Sequence, residues 1–262
     1  MNSTALPNGL SISHINSYET KFLYNEIFVQ NVYMNHGIEV HPGNVLIDAG
    51  ANIGMFAIYM FRKFNPARVF CFEPAPHCLE ALRFNLARWK DQAVIIASAL
   101  GENEGEADFT YYPGYSIMSG LFADRNRDLD VLKTGARTQL ARLSEPCDDE
   151  SMIDVLVEGK LDNAVSFKCP MTTVSSVIEN YDLKCVHLLK IDVERAENAI
   201  LRGIKDEHWA RINQIVVEVH DQGAGEHEAM REMLAHKGYQ TVLAVEQDLQ
   251  NSAIYQLTAR RQ

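Results

Sequence analysis

Four apolar runs in this chain end in acids. Val45-Leu46-Ile47 leads into Asp48, and the turn Asp48-Ala49-Gly50-Ala51-Asn52-Ile53-Gly54 follows. Arg68 to Phe72 leads into Glu73, His187 to Ile191 into Asp192 and Glu194, and Gln214 to Val217 into Glu218 and His220. Gly50 and Gly54 let the backbone turn sharply and approach a ligand without a Cβ in the way. The turn is expected to leave N–H groups free at a helix N-terminus, which suits an anion, whereas Asp48 suits a cation or a hydrogen-bond donor. Glu73 follows the turn by roughly twenty residues, the interval at which nucleotide-binding α/β folds place the acid that grips ribose hydroxyls. Side chains alternate faces along a strand, so Lys190 shares a face with Asp192, and Glu218 with His220. Polar groups this deep in apolar strands are costly unless they are paired or used. Taken singly, each is equally a surface carboxylate or a helix cap. Five acids and a histidine at one rim point to a site.

Other chemistries find less support. Asp192, Glu194, Glu218 and His220 could hold zinc or magnesium, but such acid pairs are commoner as hydrogen-bond partners, so no metal is assigned. There is no G-x-S-x-G elbow and no G-x-x-x-x-G-K-[ST] loop, which removes those hydrolases and the P-loop ATPases. The first turn reads D-x-G-x-x-x-G rather than G-x-G-x-x-G, which weakens a nucleotide-dependent oxidoreductase.

These residues need strands and helices in alternation to bring them together. Val45 to Asp48, Arg68 to Glu73, Ala93 to Ala97, His187 to Val193 and Gln214 to His220 read as buried parallel strands. The third closes on Ser98-Ala99-Leu100-Gly101. Met55 to Phe61 is apolar nearly all round and reads as a buried helix. Further helices are expected to Trp89, over Thr172 to Tyr181, Glu194 to Arg202 and Glu226 to Lys237, with Gly203 and Gly238 as stops. Tyr239 to Val245 and Ser252 to Leu257 read as a terminal hairpin. Met1 to Asn16 reads as a loose lead-in. Ser17 to Asn35 reads as a helix capped by Ser17, then a short element. Glu102 to Lys168 changes character. Ala107 to Tyr112 suits a strand, an aromatic stretch runs from Tyr111 to Gly120, and Asp124 to Lys160 is weakly helical. An excursion of this length suits a lid. The pattern is an α/β sheet with helices on both faces.

Composition narrows the class. The 262 residues suit one large domain or one domain with an insertion, 47% are hydrophobic, and the net charge is −11. That charge argues against a nucleic-acid surface. The five cysteines, Cys71, Cys78, Cys147, Cys169 and Cys185, contain no C-x-x-C pair, so neither zinc nor a disulfide framework is expected. No signal peptide or membrane-spanning stretch is evident, so the expected setting is cytoplasmic.

Several stretches carry a resemblance. They are Glu19 to Phe28, Val32 to Ile38, Asp48 to Gly54, Phe72-Glu73-Pro74, Phe109 to Pro113 with Ser116 to Leu121, Leu189 to Glu194, and Val217 to Asp221. In them the chain resembles class I S-adenosylmethionine-dependent methyltransferases, and more narrowly the FkbM family of polyketide and nonribosomal peptide pathways. Many members have glycine after D-x-E where this chain has Arg195; a bulky residue there is common in the pathway subset. The resemblance implies a Rossmann-like, seven-stranded, mostly parallel sheet of order 3-2-1-4-5-7-6. It implies one domain over 1–262: an N-terminal helical lid segment (17–40), a cofactor-binding half (41–101), a lid insertion (102–170) and the C-terminal half of the sheet (171–262). The cofactor would be S-adenosylmethionine, with Glu73 on the ribose and Asp48, Gly50, Asn52 and Gly54 around the methionine end. Asp48 would face the ammonium, Ser98 and Ala99 the adenine, and Pro74 and Asp192 would complete the site.

The implied reaction is O-methylation of a natural-product hydroxyl, such as the β-hydroxyl of a polyketide-type intermediate on an acyl carrier protein. The alternatives are a free small molecule or sugar hydroxyl, or a noncatalytic S-adenosylmethionine-binding or docking domain. Neighbouring synthase domains would be further partners; nucleic acid and membrane would not. His220 is the candidate general base, since an unperturbed imidazole titrates near neutral pH. Glu218, Glu194 and Asp192 would orient it or bind the acceptor, with His36 in reserve.

Overall fold

The structure is a computed structural model and describes residues 2–143, 150–221, 223, 225–245 and 253–261. Its elements are β1 (Asn2–Ala5), β2 (Ser11–His14), α1 (Ser17–Tyr24), β3 (Val45–Ala49), α2 (Met55–Lys63), β4 (Arg68–Phe72), α3 (Pro76–Leu86) and β5 (Ala93–Ile96). There follow β6 (Ala99–Leu100), β7 (Gly105–Tyr111), α4 (Arg125–Leu143), α5 (Glu150–Val157), β8 (Val165–Thr172), α6 (Val174–Asn180) and β9 (Leu188–Ile191). The last are α7 (Glu197–Arg202), β10 (Gln214–His220), α8 (Glu226–His236), β11 (Tyr239–Ala244) and β12 (Ile254–Arg261).

The main sheet has the order β5-β4-β3-β9-β10-β12-β11. Counted along its own strands, this is 3-2-1-4-5-7-6. Strands β3, β4, β5, β9 and β10 pair in parallel, and β12 lies antiparallel to both β10 and β11. The period of two sorts the strand residues into two cores. Leu46, Val69, Cys71, Leu188 and Val216 face α2 and α3, while Ile47, Phe70, Phe72, Leu189, Ile191 and Val217 face α6, α7 and α8. Because both faces are covered, β3, β4, β9 and β10 read as nearly unbroken apolar runs. β5 forms the edge and is only half-buried.

Four local readings need correction. The lead-in is a hairpin, β1 on β2. Asn16 rather than Ser17 caps α1, accepting the Tyr18 N–H at 2.8 Å. The helix expected from Glu194 begins at Glu197, because Glu194 and Arg195 adopt φ of 52° and 73°. The excursion also contains β8, which pairs with β7 and β6 in a separate three-stranded sheet. α4 and α5 pack beside that sheet around Tyr112, Leu132, Ile153 and Leu161. Cys147, Ser252 and the turn between β11 and β12 lie outside the described residues. Among those described, no helix is long and apolar enough to cross a membrane.

Candidate active site

A cavity of about 830 Å³ opens at the carboxyl ends of the parallel strands. This is where ligands bind in open α/β sheets. One wall comes from the strand ends: Gly50, Asn52, Glu73, Asp192, Glu194 and Glu218. The facing wall comes from α1 and the turn after it, the Ser116–Met118 turn, and the lid helices α4 and α5. Both segments expected to cover the site therefore do face it.

The glycine turn is built by its neighbours. Gly50 N–H and Ala51 N–H both donate to the Phe72 carbonyl, at 3.1 and 2.9 Å. Asn52 N–H donates to Glu73 at 2.9 Å, Ile53 N–H to the Asn52 side chain at 2.8 Å, and Gly54 N–H to the Ala51 carbonyl at 2.8 Å. The N–H groups from Gly50 to Gly54 are thus engaged within the turn and the next strand, while α2 begins at Gly54 without a side-chain cap. Gly50 has φ of 79°, and a Cβ there would lie 1.9 Å from the Asp192 carbonyl oxygen, so β3 and the turn after β9 can meet only through glycine.

Asp48 and Lys190 lie beneath this turn. Asp48 is fully buried, 3.1 Å from Lys190 Nζ, which also sits 3.2 Å from Asp192. Lys190 donates to the Gly50 carbonyl at 2.9 Å, and Tyr33 OH donates to Asp192 at 2.8 Å. Burial pushes the Asp48 carboxyl up to about 6, against the pull of Lys190. Burial opposes the charge on Lys190, but Asp192 and Asp48 outweigh it and raise the ammonium above its usual value. Asp192 is held below the usual carboxylate range despite burial, because Lys190 and Tyr33 stabilise its charge. Asp48 therefore answers a lysine of its own chain rather than a ligand's ammonium.

Glu73 lines the cavity and is nearly buried. Its carboxylate accepts from Asn52 N–H and, at 2.8 Å, from Ala75 N–H. Burial raises it to about 7, against those two donors. Pro74 and Ala99 line the same end. Two residues assigned with them do not line the cavity. Gly54 packs against Leu82 and Leu86 of α3, and the Ser98 hydroxyl donates to the Ala99 carbonyl at 2.9 Å.

At the other end, His220 sits behind the wall. Its Nδ1 is 2.8 Å from Glu197, and its Nε2 is 3.2 Å from Glu194 and 3.5 Å from Glu218. Burial opposes a charge on the ring, but Glu194 and Glu197 outweigh it and raise it well above the usual histidine value. Both ring nitrogens thus face carboxylates, and Glu194 and Glu218, which line the cavity, stand nearer an acceptor than the ring does. Burial raises Glu194, and burial with the nearby Asp192 raises Glu218 well above the carboxylate range. Both of these line the cavity. His36 is exposed in a turn beside Arg260, near the start of β10 and away from the strand ends, so it is no reserve.

Several functional contacts escaped the sequence reading. Glu19 is buried, receives the Ser116 hydroxyl at 2.6 Å, and through Ser116 meets the Asn52 amide at 3.3 Å. This chain ties α1, the aromatic turn and the glycine turn together. Arg195 reaches Asp128 of α4 at 2.6 Å with both side chains buried, and Tyr112 OH donates to the same carboxylate at 2.9 Å. The Lys190–Asp192 alternation and the departure at Arg195 were the available signals.

Residues 48–241 match the family described as "Methyltransferase FkbM domain". The chain is 34% identical over 259 residues to the 31-O-demethyl-FK506 methyltransferase FkbM of Streptomyces tacrolimicus, covering 98% of this chain and 95% of that protein. It is 35% identical over 265 residues to the AMB antimetabolite synthetase AmbE of Pseudomonas aeruginosa, covering 98% of this chain but 12% of that protein. A crystal structure of methyltransferase FkbM from Methylobacillus flagellatus shares the fold, with a TM-score of 0.55 at 13% identity over 90% of this chain and 47% of that one.

Proposed function

The chain belongs to the FkbM methyltransferase family, and from that premise we propose that it moves the methyl group of S-adenosylmethionine onto a hydroxyl of a natural-product intermediate. The observation that carries this reading is the asymmetry of the cavity. Its strand-end wall presents Glu73, Asp192, Glu194 and Glu218, which suits a cationic donor with ribose hydroxyls. Its lid wall includes Val131, Leu132, Ala136, Val155 and Leu156, which suits an apolar acceptor. Of the relatives, one is named for methylation of 31-O-demethyl-FK506, a free acceptor, and another is a synthetase, so free and carrier-bound hydroxyls are both candidate acceptors.

S-adenosylmethionine, when bound, supplies an electrophilic methyl group. In this reading Glu73 holds the ribose hydroxyls, Gly50 and Asn52 border the donor, and Pro74 and Ala99 flank the adenine; all five line the cavity. Asp48 and Lys190 brace the turn from below. α1, the aromatic turn and the lid exclude water and hold the acceptor oxygen in line. The hydroxyl proton falls to the cluster of Glu194, Glu218 and His220, whose carboxylates, rather than the ring, face the cavity.

The test is a mass-spectrometric screen with methyl-deuterated S-adenosylmethionine and 3-hydroxyacyl chains of graded length, both as carrier-protein thioesters and free. The expected result is a labelled methyl ether on at least one chain. Label on carbon or nitrogen, or cofactor binding without transfer to any hydroxyl acceptor, would contradict the reading.

A further inference from the structure

The Glu194–Glu218–His220 cluster has the geometry of a ligand set. Glu197 fixes the imidazole through Nδ1, and its carboxylate is itself fixed by the Arg195 N–H at 2.9 Å. A carboxylate on one ring nitrogen is the arrangement that orients metal-binding histidines through the other. Nε2 then faces Glu194 Oε2 at 3.2 Å and Glu218 Oε1 at 3.5 Å. Bonds of roughly 2.1 Å to a small divalent cation place neighbouring donor atoms about 3.0–3.4 Å apart. Glu194 is 7% exposed, and its buried Oε2, paired with His220 Nε2, makes no hydrogen bond of regular geometry among the described residues. Charge points the same way. Lys190 is committed to Asp48 and Asp192, so two cavity-lining carboxylates share one imidazole ring. Asp192 is not part of the set, because Tyr33 and Lys190 occupy its carboxylate.

We propose that Glu194, Glu218 and Nε2 of His220 bind one divalent cation at the acceptor end of the cavity, the cation taking the place of the Nε2 proton, which is released to solvent on binding. Two carboxylate oxygens and one imidazole nitrogen suit manganese or magnesium and leave positions open toward the cavity. The consequence for catalysis rests on the methyl-transfer reading; the binding itself does not. An acceptor hydroxyl bound to the cation becomes more acidic. Its O–H bond breaks, the proton passing to a free carboxylate oxygen of the cluster. The oxygen lone pair forms the O–CH₃ bond as the S–CH₃ bond breaks and its electron pair returns to sulfur. A second open position selects acceptors with another oxygen nearby, such as the carbonyl of a 3-hydroxyacyl thioester.

The test is manganese(II) binding to the full chain, followed by calorimetry and by the electron paramagnetic resonance of the free ion, with and without S-adenosylhomocysteine. One site is expected, with nitrogen hyperfine coupling from His220 in the wild-type protein. Glu194→Gln and Glu218→Gln should each weaken binding at least about tenfold, and Glu197→Gln by roughly 10–100-fold through the ring it orients. Glu207→Gln serves as the control, since Glu179, Glu207 and His208 form the other grouping of this kind among the described residues and Lys205 already pairs with Glu179. It should change nothing. Absence of binding at millimolar manganese, a bound ion lacking nitrogen coupling, or binding lost only in Glu207→Gln would each overturn the proposal. Thermal stabilisation by S-adenosylhomocysteine is read separately, so loss of the cofactor reading and loss of the cation site give different results.

Discussion

The two walls of the cavity are held in place by different physics. The strand-end wall is held by backbone groups shared between strands and by Lys190, which pairs with the buried Asp48 and the half-buried Asp192 at once. The lid wall packs apolar side chains from α4, α5 and the aromatic turn, and it is tied back to the sheet by the buried Arg195–Asp128 pair. The first wall suits a ligand of constant structure. The second suits a ligand that varies between relatives, because a packed apolar surface can change shape without disturbing the strands. The difference assigns donor binding to one wall and acceptor choice to the other, so substitutions in the two should separate cofactor affinity from acceptor preference.

The largest effect is expected at Lys190. Lys190→Met leaves the buried Asp48 and the half-buried Asp192 without their cation, a loss of about 3–5 kcal/mol on the scale of broken buried pairs. Denaturant unfolding should show it, and cofactor binding should fall with it. Arg195→Met strands Asp128 in the lid instead. It should cost roughly 2–4 kcal/mol, speed proteolytic cleavage within α4 and α5, and raise the acceptor KM while cofactor affinity stays near wild type. If cofactor affinity fell equally in both variants, the separation of the walls would be lost.

The next effect depends on pH. Glu73 is raised to about 7 in the folded chain from an ordinary value of 4.5. The folded state therefore binds more protons than the unfolded one between these values. The stability from Glu73 is full below about pH 4.5 and is lost as pH rises through about 7. Glu73→Gln should thus gain on the wild type by roughly 1–3 kcal/mol between pH 4.5 and 7.5 in unfolding experiments. A constant difference would remove the burial argument. The smallest effect on stability is expected at Gly135. It lies within α4, lines the cavity, and has nothing within 4 Å of the place a Cβ would occupy. Gly135→Ala should stabilise the helix by about 0.5–1 kcal/mol, and Gly135→Leu should raise the KM of long acceptors more than short ones. Equal KM changes across chain lengths would place the acceptor elsewhere.

What the sequence discloses follows the same division. Asp48, Glu73, Asp192 and Glu218 stand out because each closes an apolar strand, and strand ends converge in this kind of sheet. The engagement of the turn N–H groups does not stand out, because the acceptors are Phe72 and Glu73 on the next strand. His220 reads as a free base until Glu197, the first residue of α7, is seen against its ring. The helix boundary at Glu197 is hidden because two non-glycine residues, Glu194 and Arg195, take left-handed backbone. β8 escapes a hydrophobic pattern because Val165, Ser166 and Lys168 are not buried and Pro170 interrupts the run. β1 and β2 escape it because they are short and mostly polar, although Ile12, Ser13 and His14 are buried. The family resemblance supplied the strand order, which periodicity alone does not contain.

The central claim is that the strand-end wall binds the methyl donor through Glu73. Calorimetric titration of S-adenosylmethionine into the wild type and into Glu73→Ala tests it most directly. The account predicts micromolar binding to the wild type and a loss of roughly 1.5–3 kcal/mol in the variant, the scale of hydrogen bonds to a charged group. Wild-type affinity in a folded Glu73→Ala would contradict it.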